Sequence, residues 1–155
     1  MKILFVCTGN TCRSPLAQAI LQEKIDKDGL TDFEADSAGI FCGYGESMSQ
    51  HTAEIIEGMG IFFTHTSQPV TPNLLSNCDL VVTMTKEHKN MLIGYVDEDK
   101  LFSFDEITGN GDIADPYGGD SADYLAVEMQ LRRGMDAVVA KAKTLLENNN
   151  FQSKK

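Results

Sequence analysis

The chain has 155 residues, 42% of them hydrophobic, with four cysteines and a formal net charge of −10 at pH 7. That length and apolar content suit one folded domain with a full core. No apolar stretch reaches the roughly 18 residues of a membrane span, the sparse cysteines exclude a disulfide scaffold, and the acidic balance disfavours nucleic acid and anionic membranes.

In chain order, Lys2–Val6 is short, apolar and rich in strand formers, which predicts a buried parallel strand. Its run is too short for a signal peptide, so a cytoplasmic protein is expected. Ser14 and Pro15 mark a helix start, with Ser14 as N-cap and Pro15 at the first helical position. Leu16, Ala19, Ile20 and Ile25 follow at helical spacing, and Gly29 offers a C-cap. Residues 33–38 alternate weakly and predict a second strand ending at Gly39, before a loop over 40–50. His51–Met59 predicts a helix with Ile55, Ile56 and Met59 on one face. Asp79–Met84 predicts a buried strand, and Lys86–Gly94 a short helix with Met91, Leu92 and Tyr95 inward.

Lys100–Phe104 predicts a fourth strand, followed by a glycine-rich loop over 105–120. Tyr124, Val127, Leu131, Met135, Val138, Ala142 and Leu145 define the last helix. The domain is expected to end at 147, with 148–155 as a frayed tail. Strands alternating with helices predict an α/β three-layer sandwich around a parallel sheet, Rossmann-like in plan. Ligands in such sheets bind beyond the carboxyl ends of the strands.

The informative segment lies at the first of those ends. Cys7 is followed by Thr8, Gly9, Asn10, Thr11 and Cys12, then Arg13 and Ser14. A thiol and an arginine separated by five residues, between a strand and a helix N-terminus, can hold a phosphate against a nucleophile. Backbone N–H groups of such a loop point inward and the helix dipole adds positive charge. Arg13 brings a planar fork that binds two phosphate oxygens at once. A helix N-terminus and an adjacent cation favour thiolate, the form that attacks phosphorus, and Ser14 can donate a hydrogen bond to it. A cysteine alone at a strand end is usually a small buried hydrophobe. Gly9, Arg13, Ser14 and Pro15 at these offsets set that reading aside.

Hydrolysis also needs a proton donor for the leaving group. Asp115 in Asp115-Pro116-Tyr117 is the candidate acid and base, its backbone restricted by Pro116 and the pocket walled by Tyr117. An Asp-Pro pair is ordinarily a turn, and only partnership with the Cys7 loop gives it chemistry. No metal-ligand spacing occurs, so no metal or cofactor is expected.

Residues 6–15 together with Asp115-Pro116-Tyr117 resemble the low-molecular-weight protein tyrosine phosphatase family. Asp36-Ser37-Ala38-Gly39, His65 and the Cys78-to-Met84 segment extend the resemblance over residues 1–146. It implies a four-stranded parallel sheet flanked by helices, Cys7 as nucleophile, Arg13 as phosphate clamp, Ser14 as thiolate donor and Asp115 as acid and base. It also implies that Asn10 holds the loop in an unusual backbone conformation, supported by Ser37 and His65. Thr11 stands where tyrosine phosphatases of the family carry a bulky aliphatic residue, and Tyr117 is followed by Gly118-Gly119 rather than another aromatic. Both features resemble the bacterial protein-arginine phosphatase branch. A small hydroxyl-bearing wall leaves room for a phosphoguanidinium, whereas an aliphatic wall grips a phenyl ring better. Phe41 and Tyr117 are expected to sandwich the substrate group.

Phosphorylated proteins are therefore the expected partners, met by a monomer. Protein tyrosine phosphatase activity is the alternative reading. Arsenate reduction is more distant, because Cys78 has no second cysteine nearby to complete a thiol relay. A phosphocysteine carrier would have no use for Asp115, and an inactive phosphoprotein-binding module would not keep Cys7, Arg13 and Asp115 together. Cys12 is either a redox partner for an oxidised Cys7 or a packing residue, and Cys42 and Cys78 are packing residues.

Overall fold

A computed structural model describes residues 1–155. Strands β1 (Lys2–Cys7), β2 (Glu34–Gly39), β3 (Leu80–Thr83) and β4 (Leu101–Ser103) form one sheet in the order β2-β1-β3-β4. Every pairing is parallel, with Cys7 opposite Gly39 and Val6 opposite Thr83. Because β2 lies on one side of β1 and β3 on the other, the chain reverses its winding direction at β1. The carboxyl end of β1 is therefore the switch point where open α/β sheets bind ligands, and Cys7 is its last residue.

The helices are α1 (Arg13–Asp28), α2 (Gln50–Gly58), α3 (Pro72–Ser76), α4 (Lys86–Leu92), α5 (Phe104–Thr108) and α6 (Ser121–Gln152). Alternation along β1 sorts them into layers. Ile3, Phe5 and Cys7 share a core with Leu16 and Ile20 of α1, Ile56 of α2 and Leu131 and Val138 of α6. Leu4 and Val6 point the other way, to Leu75 of α3, Leu92 of α4 and Leu101. Strand residues buried on both faces are what a covered parallel sheet requires.

Several boundaries differ from expectation. Helix α1 begins at Arg13 with Cys12 in the N-cap position and no side-chain cap. Ser14 is not the cap, because its hydroxyl is turned to the Cys7 thiol instead. Gly29 does close the helix in a left-handed conformation, with φ of 64°. Helix α4 stops at Leu92, so the inward side chains are His88 and Leu92, while Met91 and Tyr95 are exposed. Phe104 opens α5 rather than ending β4, and α3 is a further short helix. Helix α6 continues to Gln152, through most of the expected tail, although residues 148–155 are exposed. Gly134 in mid-helix, a position that ordinarily costs about 1 kcal/mol against alanine, admits the Phe104 ring: a Cβ there would overlap it and approach Thr108 Cγ2 at 2.7 Å.

Candidate active site

The loop from Thr8 to Cys12 runs from the end of β1 into the first turn of α1, and the amides of Thr8, Gly9, Thr11 and Cys12 make no hydrogen bond to the rest of the protein. Such a ring of inward N–H groups is a ready anion nest. Its shape depends on Asn10, fully buried and the one non-glycine residue with positive φ, at 55°. Asparagine tolerates that region because its short amide can bond locally, and here every polar group of Asn10 has a partner. Its amide N–H points at Cys7 Sγ (3.3 Å), its Nδ2 donates to Ser14 Oγ (2.8 Å) and Ser37 Oγ (3.0 Å), and its Oδ1 accepts from the Gln68 amide (3.0 Å). Its carbonyl accepts from His65 Nε2 at 2.8 Å. Burial lowers the pKa of His65, and the carbonyl acceptor calls for a proton on Nε2.

The network orients the thiol. Ser37 Oγ accepts from Asn10 and donates to Gln18 Oε1 at 2.6 Å. Ser14 Oγ accepts from Asn10, which leaves its own proton for Cys7 Sγ at 3.0 Å or the Ala38 carbonyl at 3.5 Å. Gly39 permits the close packing beneath: a Cβ there would meet Cys42 Sγ at 2.7 Å and the Thr8 carbonyl at 2.8 Å.

Arg13, 5% exposed, is aimed by a bond from Nη1 to the Ile113 carbonyl at 3.0 Å. Its Nη2 faces Asp115 Oδ2 at 3.7 Å. The other carboxylate oxygen of Asp115 accepts from the Tyr117 amide at 3.1 Å, a local turn that fixes the side chain over the loop. Cys7, Thr8, Gly9, Thr11, Cys12, Arg13, Asp115 and Tyr117 surround one cavity of about 320 Å³, joined by Glu46. A larger cavity of about 610 Å³ is lined by Glu23, His51, Tyr124 and Arg132, among others, and by none of Cys7, Arg13 or Asp115. Tyr124 of the larger cavity has its hydroxyl 3.4 Å from the Sγ of Cys12, which lines the smaller one.

Phe41 departs from the expected sandwich. Its amide is tied to the Thr8 carbonyl at 2.9 Å, but its side chain is 69% exposed and does not line the cavity. Tyr117 does line it. Sequence reasoning missed Gln18, Gln68, Glu46 and His88. Gln18 had a signal, since it lies one turn beyond Ser14 on the same helix face. Cys78 is engaged elsewhere: it donates to the Leu74 carbonyl at 3.1 Å, and burial pushes its thiol up to about 11. All four thiols are free.

Comparison with known proteins fits this geometry. A sequence model of the low molecular weight phosphotyrosine protein phosphatases matches residues 2–150. The chain belongs to that family. Among its relatives is a protein-arginine-phosphatase of Bacillus subtilis, 39% identical over 84% of this chain and 89% of that one. Another is the low molecular weight protein-tyrosine-phosphatase PtpB of Staphylococcus haemolyticus, 38% identical over 84% of this chain and 92% of that one. A solved YwlE arginine phosphatase, a cysteine-to-serine mutant with a phosphorylated active-site serine, superposes with a TM-score of 0.83 at 34% identity, covering 94% of this chain and 99% of that one. The family resemblance read from residues 6–15 and Asp115-Pro116-Tyr117 and the four-stranded parallel α/β fold are thereby established.

In this member of the phosphatase family the loop is also held from the α4 side. His88, 6% exposed, places Nε2 2.9 Å from Thr8 Oγ1. Burial, with Arg13 nearby, lowers its pKa from 6.5 to about 4. The folded state thus binds its proton only near pH 4, while the unfolded chain binds it near 6.5. This contribution to stability is complete above about pH 6.5 and is lost as pH falls through 6.5 toward 4. His88→Gln retains a hydrogen-bonding partner for Thr8 Oγ1 without the titration, so its melting temperature should fall less steeply over that window than the wild type's. Parallel slopes in thermal melts would remove His88 from the acid response.

Proposed function

We propose that the protein hydrolyses phosphorylated protein side chains through a phosphocysteine, and that phosphoarginine is its substrate. The observation that carries this reading is the convergence of Cys7, the free loop amides, the Arg13 fork and Asp115 on one cavity.

Cys7 Sγ attacks phosphorus as thiolate while the loop amides and Arg13 hold the equatorial oxygens. The P–N bond of phosphoarginine breaks and Asp115, as carboxylic acid, gives its proton to the departing guanidine nitrogen. Asp115, now a carboxylate, takes a proton from water, which attacks the phosphocysteine. The S–P bond breaks, inorganic phosphate leaves, and the Cys7 thiolate and protonated Asp115 return. Ser14 stabilises the thiolate in both half-reactions. Asn10, Ser37 and His65 keep the loop in its bound shape.

Three features support arginine as the carrier of the phosphate. Thr11 presents a small hydroxyl-bearing wall to the cavity, Gly118 and Gly119 follow Tyr117 in place of further aromatics, and relatives with 37–39% identity are named protein-arginine-phosphatases. Tyrosine specificity is the second reading, favoured by the name of the staphylococcal relative. The net charge of −10 fits encounter with basic protein segments rather than nucleic acid, and a cytoplasmic monomer completes the proposal. No helix is long and apolar enough to cross a membrane.

Side-by-side kcat/KM values on phosphoarginine and phosphotyrosine peptides test the substrate. The wild type should favour phosphoarginine, and Thr11→Ile should reverse the order. A tyrosine preference in the wild type overturns the arginine reading.

A further inference from the structure

The catalytic cavity has a charge asymmetry that binding phosphate does not require. Of its nine lining residues, Arg13 is the one basic side chain, whereas Glu46 and Asp115 are both acidic. Asp115 has its role in proton transfer and its partner in Arg13. Glu46 has neither: no lysine, arginine or histidine lies within ion-pair distance of it.

Nor is Glu46 a passing surface residue on a loose loop. Its amide donates to Ser67 Oγ at 3.0 Å and its carbonyl accepts from the Ser67 amide at 2.9 Å. Ser67 is itself buried, and its hydroxyl donates onward to the Gly43 carbonyl at 2.8 Å. The backbone that carries the carboxylate to the cavity wall is thus tied to Ser67 through both its amide and its carbonyl.

An exposed carboxylate on a held backbone beside an anion nest repels every phosphorylated ligand. The repulsion is offset only when the ligand brings positive charge next to its phosphoryl group. A phosphoguanidinium does so, because the cationic guanidinium carbon and nitrogens adjoin the dianion. A phosphotyrosine ring is neutral and does not. We infer that Glu46 is a specificity-determining residue, selecting phosphorylated side chains that carry a cation beside the phosphate and disfavouring those that do not. This rests on the phosphoarginine reading for its named substrate, while the charge selection itself stands on the cavity.

The test compares wild type, Glu46→Asp, Glu46→Gln and Glu46→Lys on phosphoarginine and phosphotyrosine peptides of one sequence, at low and high salt. Glu46→Gln should lower the ratio of kcat/KM for phosphoarginine over phosphotyrosine by about 1.5- to fivefold, the range of a solvent-accessible charge pair. Glu46→Lys should lower it further, Glu46→Asp should retain most of it, and the change should lie in KM rather than kcat. Added salt should narrow the ratio in the wild type and leave Glu46→Gln nearly flat. A ratio that stays constant across Gln and Lys overturns the inference, whichever peptide the wild type prefers. A wild type that favours phosphotyrosine, yet whose ratio still falls in Gln and Lys, overturns the phosphoarginine reading and supports the role of Glu46.

Discussion

Replacing Cys7 by serine is expected to lower steady-state turnover of aryl phosphate by about 10⁵–10⁶-fold, the scale on which removal of an enzyme's nucleophile acts, while leaving the fold intact. The side chain is buried, and serine is nearly isosteric, so the amide of Asn10 and the hydroxyl of Ser14 keep an acceptor at the same place. Circular dichroism and the melting temperature should therefore stay close to wild type. What changes is the chemistry. A hydroxyl carries far less negative charge than a thiol at neutral pH, and the nest that favours an anion cannot bridge that gap. The phosphate site itself survives, because the loop amides and Arg13 are untouched. Phosphate should still bind to Cys7→Ser and protect it thermally. Slow attack by the serine should leave a phosphate ester more resistant to water than the S–P bond of a phosphocysteine, and intact-protein mass spectrometry should find one added phosphoryl group. Wild-type turnover by Cys7→Ser would remove Cys7 from the mechanism altogether.

How the sequence foreshadowed this site depends on where the relevant physics is local. The strand, the thiol, the arginine and the helix start are consecutive between Lys2 and Leu16, so pattern and spacing alone place them. Gly29 likewise announces its own helix end. The supports of the loop are not local. Gln68 reaches Asn10 across 58 positions and His88 reaches Thr8 across 80, and no periodicity connects such pairs. The two short helices escaped for another reason. Five residues show no helical period, yet their caps were in plain view: Thr71 before Pro72, and Ser103 three residues before Glu106, both used as N-caps in the fold. Helix α4 leaves helical geometry at Ile93, with ψ of 130°, which carries Tyr95 to solvent, whereas Met91 lies within the helix, exposed beside the buried His88 and Leu92. The aromatic character of Phe41 suggests a sandwich with Tyr117, but nothing in the sequence fixes the direction of its ring. Its backbone is at the loop, bonded to Thr8, but β2 has ended at Gly39 and the ring is exposed.

Asp115→Asn separates the two half-reactions. The amide keeps an acceptor for the Tyr117 N–H and the turn that holds the side chain, but it neither gives nor takes a proton. Turnover should fall about 10²–10⁴-fold, the contribution typical of a positioned acid or base. The size of the loss should depend on what leaves. A nitrophenolate departs without protonation, so the first half-reaction survives and only hydrolysis of the phosphocysteine is slowed. Rapid mixing should then show a burst of nitrophenol equal to the enzyme present, and acid quenching should trap phosphate on Cys7. A guanidine nitrogen leaves poorly unless protonated, so on phosphoarginine the first half-reaction should fail and no burst should appear. The contrast locates the proton: a loss confined to the second step for both substrates would restrict Asp115 to activating water, and an unchanged rate on both would exclude it from catalysis. Arg13 bears on the outcome as well. Its Nη2 lies 3.7 Å from Asp115 Oδ2, and neutralising that neighbour leaves the guanidinium with one anion fewer to balance. Phosphate should therefore bind Asp115→Asn more tightly than wild type, which inhibition by inorganic phosphate reads directly.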